Sequence, residues 1–244
     1  MFLRVINPNT TASMTRLIGE AARAVAAPGT VVEAVNPETG PVSIESHYDE
    51  ALAVPGLLAE IAKGEREGAS AYVVACFGDP GLDAARELAT GPVIGIAEAG
   101  MHAAAFLGRG FSVVTTLART TGRAWDLART YGFGERCLGV HSCEIPVLHL
   151  ESDPGARSVV TEQCRRALEL DGSDAVVLGC AGMADLCAGI SKAIGAPVVD
   201  GVAAATVFAE SLVRLGLSTG KQGEFAGPPA KPFTGVLQPW SRLQ

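Results

Sequence analysis

Short runs of consecutive apolar residues alternate along the chain with longer stretches in which apolar residues recur every three or four positions. The runs predict eight β-strands, at 2–6, 30–35, 71–75, 92–96, 111–115, 137–141, 174–178 and 197–199. The stretches predict helices at 12–26, 50–67, 83–89, 98–107, 119–131, 156–170 and 203–215. Near-continuous apolar strands separated by helices are typical of parallel sheets covered on both faces. We therefore expect an α/β fold.

The two halves of the chain resemble each other. LRVIN at 3–7 matches FSVVT at 111–115, Cys76 matches Cys180, and GPVIGIAEA at 91–99 matches APVVDGVAA at 196–204. The offsets are nearly constant at 108, 104 and 105 residues (111 − 3, 180 − 76 and 197 − 92). Such regular spacing indicates that one α/β unit is duplicated.

Composition narrows the class of protein. The 244 residues are 48% hydrophobic but only 5% aromatic, so the core must be built from Ala, Val, Leu and Ile. A net charge of −7 argues against nucleic acid or an anionic membrane as a partner. No apolar run reaches the ~18 residues of a membrane span, and the N-terminus does not read as a signal peptide. We expect a cytoplasmic protein whose cysteines are reduced.

Two of the six cysteines occupy matching places. VVACFGDPGL at 73–82 and AVVLGCAGMADL at 175–186 each put a cysteine where a strand ends and a helix is expected to begin. Ligands of α/β proteins bind at this edge of the sheet. After Cys76, Asp79 is the predicted helix N-cap and Pro80 the predicted first helical residue. The alternative interpretation is that Cys76 and Cys180 are only small residues that close a strand.

A nearby helix N-terminus favours a thiolate and is expected to lower a thiol pKa of ~8.5 by roughly 0.2–1.5 units. If both thiols face one small pocket, ionising the first makes ionising the second harder, so the pair tends to share a proton. Such a pair offers one base and one acid on opposite sides of a carbon. Stereochemical inversion requires that arrangement.

Five motifs carry a family resemblance: NPNT at 7–10, ACFGDPGL at 75–82, GIAEA at 95–99, VVTT at 113–116 and LGCAGM at 178–183. With them the chain resembles the aspartate/glutamate racemase superfamily, and within it the hydantoin and allantoin racemases. The resemblance implies two similar Rossmann-like lobes with parallel sheets, related by a pseudo-twofold axis, around a cofactor-free active site in the cleft between them. It implies a first lobe of 1–96 and 205–244 that carries Cys76, a second lobe of 97–204 that carries Cys180, and assembly as a homo-oligomer.

The implied activity is cofactor-independent racemisation of 5-substituted hydantoins, including allantoin, with Cys76 and Cys180 as the two acid/base groups and no metal. The C5 hydrogen of a hydantoin lies beside a carbonyl, so its removal gives an enolate that N–H donors stabilise. One thiolate removes the proton and the opposite thiol delivers one to the other face.

Further site residues are expected around the two thiols. Backbone N–H groups at Phe77, Gly78, Ala181 and Gly182 are the candidates for contacts to the enolate and carbonyl oxygens. Asn9, Thr115 and Thr116 are the candidates for hydrogen bonds to the ring amides. The segment 38–49 is expected to form a loop over the pocket, where Val42 and Ile44 meet the substrate side chain.

Other functions stay open at this point. A racemase of free aspartate or glutamate usually carries Thr-Glu or a similar polar pair after its second cysteine, where this chain has Ala-Gly. Arylmalonate decarboxylases keep only one of the two cysteines, and maleate isomerases are a further related alternative. A two-lobed small-molecule binding protein is the non-enzymatic alternative. CLGVHSC at 137–143 lacks a usual zinc spacing, and GLSTGKQ at 216–222 falls short of a phosphate-binding loop.

Overall fold

The computed structural model describes residues 1–242. Its strands are β1 (Phe2–Ile6), β2 (Val31–Val35), β3 (Ala71–Val74), β4 (Val93–Gly95), β5 (Phe111–Thr115), β6 (Cys137–Ser142), β7 (Ala175–Gly179) and β8 (Val198–Val199). Its α-helices are α1 (Ala12–Val25), α2 (His47–Glu67), α3 (Leu82–Leu88), α4 (Ile96–Ala105), α5 (Thr121–Thr130), α6 (His149–Ser152), α7 (Ala156–Asp171), α8 (Cys187–Ile194) and α9 (Gly201–Arg214). Within this part of the chain, no helix is long and apolar enough to cross a membrane.

The strands form two parallel four-stranded sheets. The first has the order β2-β1-β3-β4 and the second the order β6-β5-β7-β8, so the two sheets repeat one topology. Their registers correspond as well, since Val5 pairs with Val73 in the first sheet and Val113 with Val177 in the second. The predicted α/β class with two similar parallel sheets is confirmed. All eight predicted strands are present, with ends displaced by at most one residue.

Among the helices, the largest departures from the predictions concern α2, α6 and α8; α4, α5 and α9 begin two residues from their predicted starts. α2 begins at His47 instead of residue 50, because Ser46 caps it and its Oγ accepts a hydrogen bond from the Asp49 N–H (3.2 Å). α6 and α8 were not predicted from the sequence. A 3-10 helix at Ala181–Leu186 leads into α8.

Two helices connect the sheets. α4 follows the first sheet but packs on β7 of the second, while α9 follows the second sheet and packs on β3 and β4 of the first. The two helices also pack on each other, and a Cβ at Gly201 would overlap the backbone of Ile96. One apolar core therefore runs through both sheets and includes Val73 as well as Val177.

The segment after α9 returns to the first sheet's elements. Thr219 Oγ1 donates to the Gly91 carbonyl (2.7 Å). Lys221 donates to the carbonyls of Arg86 (2.6 Å) and Glu87 (2.8 Å), and so caps the C-terminal end of α3. These contacts are those expected if residues 205 onward belong to the first lobe. The lobe boundaries themselves remain a prediction.

A buried arginine lies in the middle of the first sheet. Arg4 on β1 is 0% exposed, and its guanidinium pairs with Glu33 (2.5 Å), Glu60 (2.6 Å) and Glu67 (2.5 Å). A buried cation is tolerable only when it is paired and hydrogen-bonded in this way. The central strand of the first sheet is thereby tied to β2 and to α2.

Candidate active site

Cys76 and Cys180 line one cleft. Cys76 directly follows Ala75 at the end of β3, and Cys180 directly follows β7, which is the corresponding strand of the second sheet. Both residues are half-buried. The cleft measures about 700 Å³ when counted to its open mouth. One thiol thus comes from the carboxyl edge of each sheet.

Most of the other predicted site residues also line this cleft. They are Asn9, Ile44, Phe77, Gly78, Thr115, Thr116 and Ala181. Gly182 instead borders a neighbouring cavity, together with Met14 and Leu150. Val42 does not line the cleft, because its side chain is 59% exposed while its carbonyl is held by the Thr11 hydroxyl (2.7 Å). The structure therefore does not place Val42 where the sequence analysis expected it to contact a substrate.

Burial dominates the acidity of both thiols. Loss of solvent raises the pKa of Cys180 to about 12 and raises the pKa of Cys76 further still. The backbone N–H of Gly78 acts on Cys76, and that of Gly182 acts on Cys180, each lowering the pKa of its thiol by less than burial raises it. Each sulfur is thus served by the N–H two residues further along, the same arrangement in both halves.

The expected net lowering of the thiol pKa is wrong, because burial raises the pKa of both thiols by more than the nearby N–H groups lower it. At Cys76 a helix terminus contributes little, since α3 has only seven residues and begins at Leu82, six residues further along. The charges that act on Cys76 include the carboxylates of Glu50 and Asp79, which raise its pKa further. The raised pKa values therefore favour the neutral thiol form of both cysteines at neutral pH.

The predicted capping role of Asp79 is also wrong. The N-cap of α3 is Gly81, in the left-handed conformation (φ 64°), and Pro80 precedes the helix. The Asp79 carboxylate instead accepts hydrogen bonds from the N–H groups of Ala97 (3.1 Å) and Glu98 (2.9 Å) at the start of α4. A local sequence pattern could not reveal this, because the donors lie eighteen and nineteen residues away.

Arg123 is a cleft residue that sequence reasoning missed. Its Nε and Nη2 donate to the carbonyl oxygen of Gly78 at 3.1 and 2.7 Å. Its Nε also lies 3.4 Å from a carboxylate oxygen of Glu50, which lines the cleft too. Desolvation raises the pKa of Glu50 despite the opposing charge of Arg123. Arg123, on α5 in the second half of the chain, thereby holds the turn that follows Cys76 in the first half.

The loop before α2 closes one side of the cleft, as the sequence predicted. Its Pro41 carbonyl accepts from the Thr10 N–H (2.9 Å). Further along, Glu45 Oε1 accepts from the N–H of Val147 (2.7 Å), a residue of the second half. Glu45 and Ile44 line the cleft. The loop thus bridges the two halves above the thiols.

The side-chain amide of Asn9 has a defined orientation. Its Oδ1 accepts from Asn7 Nδ2 (2.9 Å) and from the Thr11 N–H (2.9 Å). Its Nδ2 has only the sulfur of Met14 (3.2 Å), which is a weak acceptor. Asn9 therefore offers an N–H donor, and not an acceptor, to a ligand in the cleft.

Additional polar residues of the second half line the cleft, namely Arg119 and Thr120. Both follow β5 in sequence, so their position after a strand end was the available signal. Charged side chains in the cleft are thus more numerous than expected from the immediate neighbours of the two cysteines.

The other residues with reactive or metal-binding side chains that the sequence offered do not lie together in a second site. Cys137 and Cys143 are buried, and His141 between them pairs with Asp171 (2.7 Å). Glu98 forms an ion pair with Arg86 (2.6 Å). Among residues 1–242 no cluster of three or more His, Cys, Asp and Glu side chains is arranged to hold a metal ion.

Two similar parallel α/β sheets around a shared cleft are the fold of the two-lobed isomerases of the Asp/Glu racemase type. The chain belongs to the Asp/Glu/hydantoin racemase family, whose model matches residues 3–209.

Individual relatives are similar over nearly the whole chain. A hydantoin racemase of Rhizobium meliloti is 48% identical over 96% of this chain and 98% of its own. A hydantoin racemase of Pseudomonas sp. (strain NS671) is 45% identical over 100% of this chain and 98% of its own. Among solved structures, allantoin racemase from Klebsiella pneumoniae is 52% identical over 98% of both chains, with a TM-score of 0.96.

Proposed function

We propose that this protein racemises 5-substituted hydantoins, allantoin among them, by proton transfer between C5 and two thiols. The observation that carries the proposal is that Cys76 and Cys180 line one cleft from corresponding ends of two similar sheets. One thiolate removes the C5 proton, and the thiol on the opposite wall donates a proton to the other face. The names and high identity of the relatives support the choice of a hydantoin as substrate.

The high thiol pKa suits this reaction. Carbon acids are weak, and a thiolate whose conjugate acid has a raised pKa is a stronger base toward them. The cost is a small thiolate fraction before substrate binds. The N–H groups of Gly78 and Gly182 favour the charged sulfur once it forms, because they already act on Cys76 and Cys180.

The ring has two carbonyl acceptors and two N–H donors to satisfy. The Asn9 amide offers a donor to a ring carbonyl, since its oxygen is occupied by Asn7 and Thr11. The N–H of Ala181, the first residue of a 3-10 helix, has no acceptor within that helix and is a second candidate donor. The remaining proposed contacts are the N–H of Phe77 and the hydroxyls of Thr115 and Thr116, all at the cleft. Ile44 would meet the C5 substituent.

Two further properties belong to the proposal. We expect a cytoplasmic location, supported by the absence of any disulfide among the six cysteines, all of which lie in the described part of the chain. We also expect a homo-oligomer, which would cover apolar side chains exposed on the monomer, such as Phe106 at the end of α4. Analytical ultracentrifugation of the purified protein tests the second expectation.

Purified protein incubated with single enantiomers of allantoin, 5-benzylhydantoin and glutamate tests the substrate class by polarimetry. We expect loss of optical rotation with the hydantoins and none with glutamate. Glutamate is included because Arg119 is a cation that lines the cleft, and a cation there could bind the carboxylates of a free amino acid. Activity on glutamate alone would reject the proposal. Activity is expected to survive a metal chelator, because the proposed acid and base are the two thiols.

A further inference from the structure

Asp79 lies inside the turn that carries Cys76. Its N–H donates to the Cys76 carbonyl (3.0 Å) and closes the turn. Its φ of 44° is in the left-handed region, which is costly for a residue other than glycine. Its buried carboxylate accepts from the N–H groups of Ala97 (3.1 Å) and Glu98 (2.9 Å) and from the Tyr131 hydroxyl (2.7 Å). One carboxylate therefore joins the cysteine turn to the start of α4 and to the end of α5.

The corresponding helix of the second half is capped in another way. Asp200, directly before α9, accepts from the N–H groups of Val202 (2.9 Å) and Ala203 (3.0 Å). These donors stand 105 positions after Ala97 and Glu98 (202 − 97), an offset already seen between the two halves. The N–H groups of the second and third helical residues thus donate to the adjacent Asp200 in the second half. In the first half the same two N–H groups donate to Asp79, which is distant in sequence.

Gly95 occupies the place in the first half that Asp200 has in the second. Its backbone (φ −82°, ψ 145°) is extended and resembles that of Asp200 (φ −89°, ψ 121°), so any residue could adopt it. A side chain at Gly95 is excluded because its Cβ would overlap the Asp79 carboxylate, which supplies the three atoms nearest to that position. An aspartate at 95 would cap α4 equally well. However, an aspartate at 95 would not hold the turn after Cys76.

We infer that Asp79 is a positioning residue that holds Cys76 in register with Cys180 across the cleft. The inference rests on the proposed function, because proton transfer from two opposite faces demands an accurately placed sulfur on each side. A displacement of about 1 Å at such a site can cost on the order of 100-fold in rate. Asp79 makes no contact with substrate in this scheme and acts through the turn.

A double variant separates capping from positioning. Asp79→Gly combined with Gly95→Asp restores a local cap to α4, and glycine adopts φ 44° without strain. We expect a melting temperature close to that of the unchanged protein but a kcat/KM about 10- to 100-fold lower. Solvent deuterium should enter C5 without inversion for one enantiomer only, the same one as in Cys76→Ser. Full racemase activity in the stable double variant would overturn the inference.

Two single variants keep the test decisive if the double variant folds poorly. Tyr131→Phe removes one hydrogen bond to the Asp79 carboxylate and leaves the α4 cap in place; we expect a lower kcat/KM with the same one-sided exchange. Asp200→Asn weakens the equivalent cap of α9, which packs on the 3-10 helix after Cys180. It should lower the melting temperature without the one-sided exchange that Cys76→Ser gives. Exchange of the Cys76→Ser kind in Asp200→Asn, or its absence in Tyr131→Phe, would contradict the inference.

Alkylation of the thiols gives a readout that needs no substrate. The rates at which iodoacetamide modifies Cys76 and Cys180 can be followed separately by peptide mass spectrometry. Loosening of its turn should raise the rate at Cys76 relative to that at Cys180 in Tyr131→Phe, which keeps the Asp79 carboxylate and its charge. An unchanged ratio would contradict the positioning role. A protein that racemises no hydantoin at all would reject the proposed function, and the alkylation ratio would still decide the role of Asp79.

Discussion

The guanidinium of Arg123 holds the carbonyl oxygen of Gly78 with two hydrogen bonds, of 3.1 and 2.7 Å. Gly78 is the residue whose N–H acts on the Cys76 sulfur. The peptide group that follows Gly78 is thus fixed by a side chain of α5, while the peptide group that precedes it serves the thiol. Because α5 belongs to the second half of the chain, this contact sets the Cys76 turn against the opposite wall.

Replacing Arg123 by alanine should lower kcat/KM by about 10- to 100-fold, since the turn loses its cross-cleft support. Arg123→Lys should recover only part of the activity, because a single ammonium cannot reproduce the two-pronged contact. Steady-state racemisation measured by polarimetry gives both values. Arg129→Ala is the matched control, as Arg129 is an exposed residue of the same helix that pairs with Asp126 (3.1 Å). Equal activity in the Arg123 and Arg129 variants would contradict the role.

Cys76→Ser and Cys180→Ser should each reduce racemisation by at least about 100-fold, because a serine hydroxyl is a far weaker acid than a thiol and scarcely forms its alkoxide. Each variant should still exchange the C5 hydrogen of one enantiomer with deuterium oxide, and the two variants should act on opposite enantiomers. Proton NMR of the recovered substrate measures this exchange. Cys187→Ser is the control, because Cys187 does not line the cleft and its sulfur donates to the Val198 carbonyl, which a hydroxyl can also do. Normal racemisation in either catalytic variant would reject the two-thiol mechanism.

The rate should rise with pH over the neutral and alkaline range. The reaction needs one thiolate, and burial raises the pKa of Cys180 to about 12 and that of Cys76 beyond it. Below these values each unit of pH multiplies the thiolate fraction about tenfold. The logarithm of kcat/KM should therefore climb between about pH 7 and pH 10 with a slope close to +1. A plateau already at pH 7 would show that a thiolate exists before substrate binds.

The same shift limits stability at high pH. The folded protein holds these thiols above the unfolded value of about 8.5, so it favours their neutral form. The stabilisation is complete below that pH and is lost as the pH rises toward the folded values. Circular dichroism at each pH distinguishes loss of fold from loss of rate, and only the range with a constant melting temperature should be used for the kinetic slope.

Arg4→Met should destabilise the protein by about 3–5 kcal/mol, because three carboxylates would lose the buried cation that they share. The pairs with Glu33, Glu60 and Glu67 all end on this guanidinium. Urea unfolding followed by circular dichroism measures the change. Arg16→Met, at an exposed i,i+4 pair with Glu20, should change stability by no more than about 1 kcal/mol. Similar losses in both variants would contradict this account.

The strands and the paired thiols were predictable because their signals are local. An apolar run marks a buried strand wherever it lies, and the cysteine that follows it is the next letter in the sequence. The Asp79 cap and the Arg123 clamp were not predictable, since each depends on a partner from a distant part of the chain. Asp79 even stands just before a short helix, α3, as an N-cap residue would. Its carboxylate nevertheless accepts hydrogen bonds from the N–H groups at the start of α4 and not from those of α3.

The helices α4 and α9 pack on each other, and one apolar core runs through both sheets. Opening the cleft by moving the lobes apart would have to separate these two helices and divide that core. We therefore expect the width of the cleft to change little when a substrate binds, so that selection among ring substituents falls to the residues at its mouth.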